Sequence, residues 1–87
     1  MAEGTLIELD RRLRIALEGL GPREEDSIKA RDNRMRIQHI LVARLGLGSE
    51  GKVTLEELGG RYDVSRERIR QLEAQGLEQL RKVIQKD

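Results

Sequence analysis

The sequence predicts an all-α fold: a small domain of four to five helices that ends in a helix-turn-helix. Three observations predict it. Apolar residues recur at helical spacing, three and four apart, in every long segment. No stretch shows the strict alternation of a half-buried strand. Pro22 and the glycine groups 19/21, 46/48/51 and 59/60 fall between the periodic runs, where helices stop.

The first helix is expected to begin at Thr5. There Thr5-Leu6-Ile7-Glu8 has the spacing of a capping box, in which hydroxyl and carboxylate satisfy free amides of the first turn. Leu6, Leu9, Leu13, Ala16, Leu17 and Leu20 form one stripe, closed by Gly21-Pro22. That stripe packs either on its own domain or on a helix from a second copy or a longer chain, through residues 6–20. A second helical region runs from about Arg23 to Leu45, with Glu24, Glu25 and Asp26 at its positive dipole end. Asp32-Asn33 are poor helix formers and are expected to break it. Met35, Ile37, Ile40, Leu41 and Leu45 form its apolar face, while Arg31, Arg34 and Arg36 make a solvated or basic one. Residues 46–51 are a loop. By organisation, residues 1–35 are a helical extension and 36–87 the helix-turn-helix domain.

Composition narrows the chemistry. The 87 residues hold 17 basic and 16 acidic side chains, a net charge of +1, so any nucleic-acid contact must come from local placement of arginine. With no cysteine, disulfides, thiol catalysis and cysteine-ligated zinc are excluded, and the single His39, which reads as a structural or surface histidine, cannot build a metal site alone. No cofactor motif and no nucleophile–base spacing is present, which argues against an enzyme. Neither a membrane span nor a secretory h-region is visible, and the expectation is a cytoplasmic, nucleoid-associated protein.

The informative segment is 54–73. Thr54-Leu55-Glu56-Glu57 is a second capping box, and Leu55 and Leu58 give its helix an apolar face. Gly59 supplies a small side, and Asp63 stands where the turn wants a left-handed residue, which Asp tolerates. Ser65 caps the next helix, whose buried side is read as Ile69, Leu72, Gly76, Leu77, Leu80, Val83 and Ile84. Counted from Leu55, apolar groups at the fourth, eighth, tenth, fifteenth and eighteenth places, a small residue at the fifth and a turn residue at the ninth meet the needs of a helix-turn-helix. The exposed start of the second helix carries Arg66, Glu67, Arg68, Arg70 and Gln71. Arg suits guanine, Gln adenine and Glu the amino group of cytosine.

Val64-Ser65-Arg66-Glu67-Arg68-Ile69-Arg70-Gln71-Leu72-Glu73-Ala74 resembles the end of region 4 in bacterial sigma factors of the sigma-70 family. Residues 40–47, the Gly-rich loop and Thr54 to Gly59 resemble the helix, loop and first motif helix that precede it, so the likeness spans about Ile40 to Ile84. The resemblance implies binding to double-stranded DNA at a promoter −35-like element and docking on the flap of the RNA polymerase β subunit. It implies base reading by Arg66, Glu67 and Gln71, and phosphate contact by Thr54, Leu55, Ser65, Arg68 and Arg70. Beyond Ala74 the family's usual basic run is replaced by Gln75, Glu78 and Gln79, which weakens the salt-sensitive part of binding and puts activator contacts in doubt. Tyr62, the one aromatic residue, belongs to the core, so no exposed ring is left to stack on flipped promoter bases. The chain is therefore expected to be a piece of a larger sigma-like protein or an accessory that borrows the domain. The alternative is a protein-interaction module that binds polymerase or a regulator with weak or no specific DNA binding.

Overall fold

The computed structural model describes residues 2–85, and side chains from residue 11 to 85. Four helices follow in order: α1 (Ala2–Gly19), α2 (Ile28–Leu45), α3 (Leu55–Tyr62) and α4 (Arg66–Gln85). The chain is all-α, and α3 and α4 form the helix-turn-helix.

Two apolar clusters hold the helices together, and α2 contributes to both. The first joins Ile37 and Ile40 of α2 to Val53, Leu58, Ile69 and Leu72, with Leu55, Tyr62 and Val64 packed at its edge. The second joins Leu41 of α2 to Ala16, Leu17 and Leu20 of α1 and Leu80 of α4. The chain's own helices thus cover the α1 stripe from Leu13 to Leu20. Where α2 meets α4, Gly76 lets the helices close: a Cβ there would lie 2.8 Å from Ile37 Cγ2 and from Leu41 Cδ1.

The ends of the helices differ from expectation in instructive ways. α1 begins at Ala2, so Thr5 sits inside the helix rather than at its start. The side chains of Thr5, Glu8, Leu6 and Leu9 lie outside the described residues. α2 begins at Ile28, not near Arg23, because Ser27 takes the cap: its Oγ accepts from Ala30 N at 3.1 Å. Asp26 consequently falls outside the helix, where its carboxylate accepts from Arg23 N and pairs with Arg34 at 2.9 Å. Asp32-Asn33 do not interrupt α2. Their propensity cost is under about 1 kcal/mol each, and burial of Ile37, Ile40 and Leu41 on the next two turns outweighs it. Uninterrupted, α2 leaves four helices among the described residues.

Some expected core positions face solvent. Met35 and Leu45 flank the α2 stripe and are 43% and 36% exposed. On α4, Gly76 and Leu80 lie one turn apart on the line facing α2 and α1, which turns Leu77 out to 43% exposure. Leu80 is the last buried residue among the described residues, and Val83 and Ile84 are exposed too.

Gly46 ends α2 in the left-handed conformation (φ 73°), and Leu47 N donates to Val42 O at 3.0 Å. The loop is then tied down twice. Arg44 donates to Val53 O and to Glu73 Oε2, both at 3.0 Å, joining the loop end to α4. Arg61 grips Glu50 with two hydrogen bonds of 2.9 and 2.7 Å and Glu57 with a third. The Glu50 carboxyl is held below its ordinary range chiefly by that hydrogen bonding, and Arg61 is pushed up in return.

Candidate nucleic-acid interface

The site is built on a turn with little freedom. Thr54 caps α3 by accepting from Glu57 N at 3.1 Å, whereas the Glu57 carboxylate accepts from Arg61 instead of folding back on the cap. At the far end, Asp63 adopts φ 55° and ψ 45°, the left-handed conformation the spacing asked for. Val64 N then donates to Gly59 O at 2.9 Å. A Cβ on Gly59 would lie 2.8 Å from Val64 O, so the small residue is needed against the backbone of the turn itself. Ser65 Oγ accepts from Arg68 N at 3.0 Å and starts α4. With Leu58, Ile69 and Leu72 buried beneath, the first two turns of α4 have one face fixed to the core and the other in solvent.

Arg66, Glu67, Arg68, Arg70 and Gln71 all lie on that outer face and are exposed. They engage one another or close neighbours. Arg70 forks onto Glu67, Nε to Oε1 at 2.8 Å and a terminal nitrogen to Oε2 at 2.7 Å. These hydrogen bonds hold the Glu67 carboxyl below its ordinary range, so Glu67 is an ionised, acceptor-only group, and they push Arg70 up. Arg68 reaches Gln71 Oε1 at 3.4 Å. Arg66 lies 3.6 Å from Glu56 at the start of α3. In fully solvated geometry such pairs exchange readily for other partners.

Two recesses flank the start of α4. One, of about 390 Å³, brings Thr54 and Leu55 together with Arg66, Arg44 and Glu56. The other, of about 490 Å³, sets Arg68 opposite the N-terminal half of α2, including Lys29 and Arg36. The expected residues therefore fall into two groups around one helix end, Thr54, Leu55 and Arg66 on the α3 side and Arg68 on the α2 side. Ser65, Glu67, Arg70 and Gln71 complete the exposed start of α4. Sequence reasoning passed over Arg44, Glu56 and Lys29. Arg44 could not be found by spacing, because its partner Glu73 lies 29 residues away. Arg36, read as part of a basic or solvated face, instead stands over the half-buried ring of Tyr62, 5.2 Å from its centroid.

The family described as sigma-70, region 4 matches residues 16–82. The chain belongs to that family. The match starts well upstream of Ile40, so the C-terminal part of α1 and all of α2 are also region 4 sequence. Among curated relatives, RNA polymerase sigma factor SigA4 of Synechococcus elongatus is 52% identical over 46 residues, covering 53% of this chain. RNA polymerase sigma factor SigA of Nostoc sp. and RNA polymerase sigma factor RpoD of Neisseria gonorrhoeae are each 42% identical over 65 residues, 75% of the chain. The matched parts make up 15%, 13% and 8% of these three relatives. No solved structure gave a significant match. As a region 4 domain the chain is a helix-turn-helix module of transcription and not an enzyme. No helix among the described residues is long and apolar enough to cross a membrane.

Proposed function

We propose that this region 4 domain recognises a promoter −35-like element by laying the first two turns of α4 in the major groove, and that it contacts RNA polymerase while doing so. The observation that carries the reading is the exposed set Arg66, Glu67, Arg70 and Gln71 on a helix end whose other face is clamped to the core. That end leads into the groove in helix-turn-helix complexes. Arg66, Glu67 and Gln71 are assigned to base edges. Arg68 and Arg70, the hydroxyls of Thr54 and Ser65, and the Leu55 amide at the α3 N-terminus are assigned to phosphates. Both hydroxyls accept their cap bonds and keep an O–H to donate outward. The Leu55 amide is one of the first N–H groups of a helix, which have no carbonyl a turn behind them.

Polymerase contact is assigned to a different face. A groove of about 430 Å³ runs between α1, α2, the loop and α3, with Leu17, Val42, Ala43, Leu47, Leu58 and Tyr62 in its lining. No α4 residue is among those that line it, so a helix of the polymerase β flap can occupy it while α4 sits on DNA. A DNA-bound domain of this kind works in the cytoplasm at the nucleoid.

A second reading has its own support. Arg70 is paired to Glu67 and Arg66 approaches Glu56, so two of the recognition cations already have acidic partners. On that reading the domain is a protein-interaction module with little specific affinity for DNA. Fluorescence anisotropy on a −35 duplex and a scrambled duplex, at two salt concentrations, separates the two. Tighter, salt-sensitive binding to the −35 duplex supports promoter recognition. Equal or absent binding, with a flap fragment still bound, supports the interaction module.

A further inference from the structure

Apart from Arg68, the recess between α2 and α4 is lined by residues that the helix-turn-helix does not use. Ser27 caps α2 there, Lys29 stands on the first turn, and Arg36 faces the same space two turns on. Across the recess is Arg68 of the recognition helix. The only acid in the lining is Asp32, and its carboxylate approaches Arg36 at 3.8 Å. Arg36 is further held over the Tyr62 ring. With Asp32 and Arg36 set against each other, the unbalanced charge of the recess is that of Lys29 and Arg68. Lys29 is exposed, and no carboxylate pairs with it among the described residues.

We propose that Lys29 and Arg68 form a cationic shelf that takes a DNA backbone phosphate beside the helix-turn-helix, so that α2 extends the footprint of the domain. The inference rests on the promoter-binding reading above. Charge complementarity selects the occupant, since two unbalanced cations suit the anionic backbone. Continuity supports it as well: Arg68 belongs to the turn of α4 that enters the groove, so the shelf begins where that interface ends. A phosphate contact of this kind fixes register and adds affinity without sequence preference. It also supplies charge that the net +1 of the chain and the Gln75, Glu78 and Gln79 positions of α4 do not.

The test uses the full chain carrying Lys29→Gln or Lys29→Arg, with duplexes trimmed to the −35 element or extended by about half a helical turn, some 5 bp, on each side. Lys29 is solvent-exposed, and unchanged melting temperatures establish that the variants fold. On the extended duplex, Lys29→Gln is expected to flatten the slope of log affinity against log salt by about 0.9. Between 50 and 200 mM salt the variant then loses about 3.5-fold less affinity than the parent. The same change is expected on a scrambled extended duplex. On the trimmed duplex the two should coincide, and Lys29→Arg should keep the parent slope. A Lys29→Gln slope equal to the parent's on the extended duplex overturns the shelf while leaving promoter recognition standing. A parent that binds no duplex overturns both.

Discussion

Gly59 offers a sharp test of the motif's geometry, because its neighbour Gly60 is a built-in control. Both lie in α3, and replacing a helical glycine by alanine gains up to about 1 kcal/mol of helix propensity. At Gly60 a new Cβ meets nothing within 4 Å, so Gly60→Ala should collect that gain. At Gly59 the Cβ would be 2.8 Å from Val64 O, 3.5 Å from Arg66 N and 3.6 Å from Ser65 C. All three are backbone atoms, and no rotamer change can relieve the contact. The turn must move outward by several tenths of an ångström, which strains the Val64 N to Gly59 O bond of 2.9 Å and the left-handed Asp63. Overpacking of this kind costs about 1–3 kcal/mol. Propensity is common to both variants, so their difference isolates the collision. In a domain of this size that separates the melting temperatures by at least about 4 °C. Thermal or urea unfolding followed by circular dichroism measures it. Equal stability of the two variants would refute the close packing of α3 against the turn. The larger Gly59→Leu should prevent folding of the motif altogether.

Three further outcomes are expected. Asp63→Val should lose about 1–2 kcal/mol, the penalty of a left-handed conformation for a residue unsuited to it, whereas Asp63→Asn should be tolerated; unfolding midpoints check both. Arg66→Ala and Gln71→Ala should each remove about 1–3 kcal/mol of discrimination at a single base position, and variants that bind every duplex as the parent does would unseat the groove assignment. In Arg70→Ala the Glu67 carboxyl should titrate closer to its ordinary value of 4.5 by side-chain NMR. Because folding lowers that carboxyl, the pair contributes above the ordinary value and is lost as pH falls through the lowered one. An unchanged Glu67 titration would mean that the fork seen here is not populated.

The helix-turn-helix was legible because its constraints are local. Gly59, Asp63 and Ser65 each act on atoms within seven residues, so spacing alone locates them. What escaped depends on distant partners or on competition between neighbouring signals. Glu24, Glu25 and Asp26 look like the acidic first turn of a helix, yet Ser27 caps better and Asp26 is taken by Arg34. Leu77, Val83 and Ile84 have the spacing of a buried stripe, but burial needs a facing helix, and only Gly76 and Leu80 of that stretch have one. The base-reading candidates were visible as residue types, whereas the pairing of Arg66 with Glu56 and of Glu67 with Arg70 needed coordinates. Lys29 and Arg68 are far apart in the chain, and only an uninterrupted α2 brings them to one recess.

Ile40 and Leu41 are both fully buried, and being adjacent on α2 they face different clusters. Separating α1 from the body exposes the second cluster, and separating α3 exposes the first, yet both movements strip the same helix. The domain therefore has no seam along which it can open in halves. Amide exchange in the middle of α2 should proceed only through global unfolding, with protection equal to the full stability. Whatever binds the groove between α1, α2 and α3 then raises the free energy needed to loosen the helix that reads DNA, even though the two surfaces share no residue of α4.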